Sequence, residues 1–220
     1  SEEREGELGE SRDPGHRLGV DRMEGEEERR DEGQPPRTRA PGPLPRLRTR
    51  RLALRAFRSG DLEDLVRLDT DAQVMRLVGD GRAVSRADVV AVLPRICRYP
   101  AVYPGLGCWH ATRRDTGAFV GWFILKYCGT SCDVEVGYRL LPEAWGQGFA
   151  TEGATALVGY GFDTLELDRI VGVTHPDNIA SQRVLMKAGL ADAGWGRYYG
   201  RRLRLFAARR FDFGDPDDRA

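Results

Sequence analysis

From residue 47 onward the sequence predicts a mixed α/β fold built on a mostly antiparallel sheet. Three observations carry that expectation. Short segments of alternating apolar and polar residues are joined by hairpin signals, as at Arg114-Asp-Thr-Gly117. Helical apolar spacing appears between them, most clearly from Phe149 to Phe162. A strand pattern through Val134-Glu-Val-Gly-Tyr138 leads by a short turn into Gly146-Gln147-Gly148, which opens that helix.

The elements follow in order. Arg51 to Phe57 alternates and reads as a strand. Asp61 to Leu68 spaces Leu62, Leu65 and Val66 as on a helix, with Ser59-Gly60-Asp61 as its capping segment. A second helical pattern covers about 85–97, and Pro94 is expected to interrupt it by removing a donor and crowding the preceding turn. Strands at about 107–113 and 118–127 flank the 114–117 hairpin. Gly129-Thr130-Ser131 then reads as a turn before a strand over 132–140. The helix from Phe149 gathers Ala150, Ala154, Leu157, Val158 and Phe162 in one stripe. Ile170 to Val173 is another strand. Asp177 or Asn178 caps a following helix that ends at Gly189, where a left-handed cap is expected. Strands at about 192–199 and 202–212 close the domain around Gly200.

The two glycines before the helix at 149 define a cradle for an anion. They let backbone approach a ligand, and the free N–H groups of the first turn face it with the positive end of the helix dipole. A triphosphate-binding loop would need Gly-Lys-Ser/Thr, and no lysine is near. A dinucleotide turn would read GxGxxG directly after a strand. Here Leu141-Pro-Glu-Ala-Trp145 intervenes, and the motif lies late in the chain.

A third cradle matches more of the sequence. The block Tyr138-Arg-Leu-Leu-Pro-Glu-Ala-Trp-Gly-Gln-Gly-Phe-Ala-Thr-Glu152 resembles the acetyl-CoA loop of the GNAT acetyltransferases, particularly the branch that acetylates ribosomal-protein N-termini. Asn178-Ile-Ala-Ser181-Gln-Arg-Val-Leu-Met-Lys-Ala-Gly189-Leu190 is similar to that family's next motif, at the expected distance. The resemblance spans about 47–213. It implies a GNAT fold, with the central sheet splayed at a bulged strand and helices on both faces. Gly137 would mark the bulge, leaving a wedge for the pantetheine; close packing of a neighbouring strand is the other explanation. The resemblance implies acetyl-CoA as co-substrate and no metal. Its binding residues would be Val136, Tyr138, Leu140, Trp145, Gly146, Gln147, Gly148, Phe149, Ala150, Thr151, Asn178 and Ser181.

Acetyl transfer needs a neutral amine, so a base is useful at physiological pH. Glu135, on the strand face opposite Val134 and Val136, is the candidate, because related enzymes use a glutamate at the matching place. Asp133 on the same face shows that an ordinary strand acid would also be tolerated there. Many family members carry a tyrosine where this chain has Leu185, and use it to protonate the leaving thiolate. Ser181 is the catalytic candidate for stabilising the sulfur instead. Trp195-Gly-Arg-Tyr-Tyr-Gly200 reads as a substrate wall, and Arg201-Arg-Leu-Arg204 is basic where relatives often place an acid. The implied reaction moves acetyl directly to a primary amine, with a protein N-terminus, such as that of a ribosomal protein, as preferred acceptor. Small amines (polyamines, aminoglycosides, amino-acid derivatives) and a non-catalytic acyl-CoA-binding protein stay open.

Composition divides the chain. Residues 1–45 hold 13 acidic and 8 basic residues and no Phe, Tyr or Trp, so they are expected to form a disordered tail. Residues 46–213 form the expected domain, and 214–220 a short polar tail. The interval between Glu32 and Asp61 contains eight arginines and no acid, which fits either a ribosome contact or loose pairing with the glutamates. The front segment lacks the apolar core of a secretory signal, and its glutamates argue against a mitochondrial transit peptide. No apolar run is long enough to cross a bilayer, so no membrane contact is expected and cytoplasm is the expected location. Cys97, Cys108, Cys128 and Cys132 lack the spacing of a complete zinc site and read as free thiols. Monomer and homodimer are both open.

Overall fold

The computed structural model describes residues 44–128 and 131–212. The expected tails, apart from Leu44 and Pro45, and the turn residues Gly129 and Thr130 lie outside the described residues. Leu44 is buried, and the Trp109 indole N–H donates to the Pro45 carbonyl at 2.8 Å. The expected boundary after residue 45 therefore cuts two residues into the packed unit.

Eight strands form one sheet: β1 (Leu47–Arg48), β2 (Leu52–Ala56), β3 (Gly107–Arg113), β4 (Phe119–Tyr127), β5 (Val134–Leu140), β6 (Arg169–Thr174), β7 (Ala191–Tyr198) and β8 (Arg201–Arg209). Their order is β1-β2-β3-β4-β5-β6-β8-β7. Every neighbouring pair is antiparallel except β5 and β6, which run parallel. That exception follows from the connection: α4 (Phe149–Asp163) crosses over between β5 and β6, as a parallel pair requires.

Helices cover both faces, which is why β4 reads as the nearly continuous apolar run Phe-Val-Gly-Trp-Phe-Ile-Leu. Phe123 and Leu125 face α4, packing with Ala154, Leu157, Val158 and Phe162. Trp122 and Ile124 point the other way, to a second cluster that includes Leu65 and Leu68 of α1 (Leu62–Asp69) and Val74 and Met75 of α2 (Ala72–Met75). Val89, Val92 and Ile96 of α3 (Arg86–Val102) complete that layer.

Two expectations are corrected. Pro94 does not interrupt its helix: α3 runs unbroken through Pro94 and Pro100, started by Ser85, whose side chain accepts from Asp88 N. A helix-interior proline costs about 3 kcal/mol. Val89, Val92, Leu93, Ile96 and Tyr99 are all buried, and at about 1.5–3 kcal/mol for each such side chain their burial outweighs that cost. The second correction concerns Gly137. The β4–β5 register passes through it without a shift, pairing Ile124 with Gly137. A β-carbon there would stand 3.0 Å from Ile124 Cδ1, so close packing by the neighbouring strand accounts for this glycine. The sheet still splays, on the other edge of β5. The parallel ladder holds only Val134↔Ile170 and Glu135↔Val171, and from Val136 onward β5 has no strand beside it on that edge.

Candidate active site

The splay makes a cavity of about 160 Å³ that runs through the sheet. Consecutive residues of β5, from Glu135 to Arg139, line it from both faces. Val136 and Tyr138 look toward α4 and α5 (Ile179–Lys187). Glu135, Gly137 and Arg139 look toward Leu77–Gly79, in the loop after α2. Asn178, Ser181 and Leu185 close the α5 side, and Tyr199, Arg201 and Leu203 close the side of the β7–β8 hairpin.

Glu135 is the one carboxylate among the described residues of this lining, and it is buried. The Tyr199 hydroxyl donates to its Oε2. Lys126, its direct partner across the β4–β5 ladder, places Nζ 3.7 Å from the same oxygen and donates to Tyr199 Oη at 2.7 Å. Burial pushes the Tyr199 phenol well above its ordinary value, and the Glu135 charge pushes it further, so Tyr199 stays a donor. Asp133, two residues earlier, is tied to Arg169 at 2.8 Å and accepts from Tyr198 at 3.4 Å.

On the opposite side of the wedge, Tyr138 Oη and Ser181 Oγ stand 3.0 Å apart, and burial raises the Tyr138 phenol to about 12. Asn178 Oδ1 accepts from Ser181 N at 3.0 Å and caps α5, which settles the choice the sequence left between Asp177 and Asn178. Glu135, Val136, Tyr138, Asn178 and Ser181 are thus brought together in one cavity.

The cradle residues sit beyond the other end of β5, outside that lining. Gly146 and Gly148 have φ of +71° and +79°, left-handed values that favour glycine. The helical bonds of α4 begin with Glu152 N donating to Gly148 O at 3.0 Å, so the N–H groups of Phe149, Ala150 and Thr151 have no acceptor within the helix. Arg51 braces the turn by donating to the Gln147 carbonyl at 2.9 Å. Its guanidinium lies 4.6 Å from the centre of the Phe149 ring, and that of Arg113 lies 5.7 Å away. The Phe149 ring is thus packed under two guanidiniums, and its backbone N–H is left at the turn. Leu140 is buried and its carbonyl accepts from the exposed Trp145 indole at 2.8 Å, which fixes the start of the turn. Amides without a helical acceptor at a helix N-terminus suit a pyrophosphate; the two nearby guanidiniums are already paired, Arg51 with Glu152 and Arg113 with Asp115.

Lys126, Arg51 and Arg113 are not singled out by the sequence, and Tyr199 enters there only as part of the Trp195–Gly200 substrate wall. Lys126 alone carried a usable signal, as a single cation inside the apolar run of β4. A turn suited to a phosphate and a buried carboxylate at opposite ends of a strand, joined by a gap in the sheet, have the layout of a coenzyme-fed group-transfer site.

The comparisons with known proteins agree. Residues 51–191 match the family model described as "Acetyltransferase (GNAT) domain". The chain is 34% identical over 154 residues to the FsC-acetyl coenzyme A-N(2)-transacetylase of Aspergillus fumigatus, an alignment covering 66% of this chain and 65% of that protein. The chain thus spans a little under two thirds of that relative's length. It is 32% identical to the uncharacterized N-acetyltransferase YoaA of Bacillus subtilis, over 71% of this chain and 88% of that one. The fold is similar to that of RimL, a ribosomal L7/L12 alpha-N-protein acetyltransferase solved with coenzyme A. The TM-score is 0.63 at 16% identity, covering 75% of this chain and 98% of RimL. This chain belongs to the GNAT acetyltransferase family.

Proposed function

We propose that the chain transfers acetyl directly from acetyl-CoA to an α-amine, with a protein N-terminus as preferred acceptor and a ribosomal protein as one such substrate. The observation that carries this reading is the placement of Glu135, a buried carboxylate at the point where β5 loses β6 and the cavity passes through the sheet. Acetyl-CoA supplies the activated thioester carbonyl. The N–H groups around Gly146–Thr151 hold its pyrophosphate, with Trp145 fixing the turn, and the released edge of β5 from Val136 to Leu140 lies along the pantetheine. Asn178 and Ser181 face the same arm. Glu135 takes a proton from the acceptor ammonium, and backbone amides of the β5 edge receive the negative charge that develops on the carbonyl oxygen. The Ser181 hydroxyl, backed by Tyr138, stabilises the departing sulfur.

One name supports an α-amine: the RimL neighbour is described as an alpha-N-protein acetyltransferase. The Aspergillus relative is described as an N(2)-transacetylase, which supports a nitrogen acceptor. An α-amine is also a suitable acceptor chemically: with a pKa of about 7.7–8.0 it is still mostly ammonium at neutral pH and uses a base, but its neutral fraction is far larger than that of lysine at about 10.4. The second reading, a small-molecule amine as acceptor, is favoured by the Aspergillus relative, whose name specifies no protein and which is closer in sequence than RimL. We place the catalytic unit at residues 44–213, acting in the cytoplasm; the four free thiols fit a reducing compartment, and no helix among the described residues is long and apolar enough to cross a membrane. Measuring CoA release with peptides bearing free or blocked N-termini, small α-amino compounds and lysine side-chain amines tests the reading. Free-N-terminus peptides should turn over fastest. Acetylation confined to lysine side chains, or no release with any amine, would overturn it.

A further inference from the structure

We propose that Tyr199, with Lys126 behind it, is a positioning residue that anchors one oxygen of Glu135 and leaves the other to accept the acceptor's proton; this rests on the reading of Glu135 as base. Both neighbours engage Oε2: Tyr199 through its hydroxyl and Lys126 through its ammonium. The three groups form one chain, in which Lys126 donates to Tyr199 Oη and Tyr199 donates to Glu135. Oε1 points along β5 instead, toward Gly137, 3.6 Å from where a β-carbon on that residue would stand. That is the stretch where β5 has left β6 on one edge, while still paired with β4 on the other, and the cavity opens. In the step itself the ammonium N–H bond breaks and an Oε1–H bond forms, while Tyr199 keeps its proton.

The turn that delivers Tyr199 gives an independent indication. Tyr199 and Gly200 are the two central residues of the β7–β8 hairpin, with φ of +53° and +69°. Two positive φ angles in a two-residue hairpin loop suit Asn-Gly or Asp-Gly, and a bulky aromatic at the first position is strained there. The chain accepts that strain and turns the ring into the cavity, where its hydroxyl reaches Glu135. A local rule broken next to a reactive group is characteristic of functional geometry. The surroundings of Glu135 are few. Lys126 and the buried Cys128 thiol come from β4 and its end. Tyr199 and Arg201 come from the hairpin, and His175 from the loop after β6. Lys126 is itself buried, and its ammonium is the cation that contacts the carboxylate.

Tyr199→Phe keeps the ring and the turn and removes the hydroxyl, which donates to Glu135 and accepts from Lys126. Loss of one hydrogen bond to a charged group predicts a fall in kcat of about 10- to 100-fold. Acetyl-CoA affinity and the thermal midpoint should stay near wild type, and the acid limb of the kcat/KM profile should move to higher pH, because the ionised carboxylate has lost a donor. Lys126→Met should move that limb in the same direction. In a Glu135→Gln background, Tyr199→Phe should add less than about a twofold loss, since the two act as a unit. An unmoved kcat and acid limb in Tyr199→Phe, or a full extra loss on top of Glu135→Gln, would overturn the positioning role alone. Normal turnover in Glu135→Gln would overturn the base reading, and this inference with it.

Discussion

Glu152 and Arg51, 101 positions apart in sequence, bind the start of β2 to the first turn of α4. Glu152 Oε1 accepts from Arg51 N and Oε2 from Arg51 Nε, each at 2.7 Å, and Thr49 Oγ1 donates to Oε1 at 2.6 Å. Burial pushes the Glu152 carboxyl upward, but the bonds from Thr49 and Arg51 outweigh it and hold the group below its ordinary 4.5. A depressed carboxylate stabilises the fold above its unfolded pKa and loses that contribution as pH falls through the folded value. Glu152→Ala should therefore cost about 1–3 kcal/mol in urea unfolding at pH 7. Its deficit against wild type should narrow below about pH 4.5. An equal deficit at pH 7 and pH 3 would contradict the linkage.

Gly148→Asp should abolish acetyl-CoA binding while the domain remains cooperatively folded. Its φ of +79° disfavours a side chain, and a carboxylate there would repel a pyrophosphate at the turn. Arg51 Nη2 stands 3.3 Å from the β-carbon position and would attract the new carboxylate, closing the cradle further. Calorimetry giving wild-type affinity in the folded variant would remove the cradle from the coenzyme site.

Deleting residues 1–43 should leave cooperative thermal unfolding intact, whereas deleting 1–45 should lower stability by about 1.5–3 kcal/mol for the loss of a buried leucine. Leu44 packs beside Gly107, and the Pro45 carbonyl satisfies the fully buried Trp109. Equal midpoints for the two truncations would show that this anchor contributes nothing.

Asp69→Ala should destabilise the protein by about 3–5 kcal/mol, because it strands a buried cation. Arg139, next to the cavity, is clamped between the Asp69 carboxylate at 2.5 Å and the Trp122 ring at 4.7 Å. The double variant Asp69→Ala with Arg139→Met should recover much of the loss, which urea titration of both variants would measure.

The parts of this site legible in the sequence are those that depend on local chemistry. Gly146 and Gly148, Asn178 and Gly189 each announce a backbone conformation or a cap within a few residues, and the structure has them so. Glu135 was legible as an acid alternating with valines, though Asp133 shares that pattern. Its environment was not, because Lys126 and Tyr199 meet it across a strand ladder and from a hairpin 64 positions away. Pro94 misled because propensity is local, while the burial that keeps α3 continuous is tertiary. Gly137 misled in the opposite way: its tight contact with Ile124 explains the residue, while the splay arises from the path of β6.

The most direct test is the pH–rate profile of Glu135→Gln, measured by CoA release with a peptide α-amine and accompanied by calorimetry of acetyl-CoA binding. The amide keeps the shape of the side chain but cannot take the ammonium proton. Turnover should fall by about 10²- to 10⁴-fold at neutral pH with affinity unchanged, and the deficit should shrink at high pH, where the acceptor arrives already neutral. Wild-type turnover across the whole pH range would contradict the account, leaving Glu135 an ordinary buried acid and solvent the carrier of the proton.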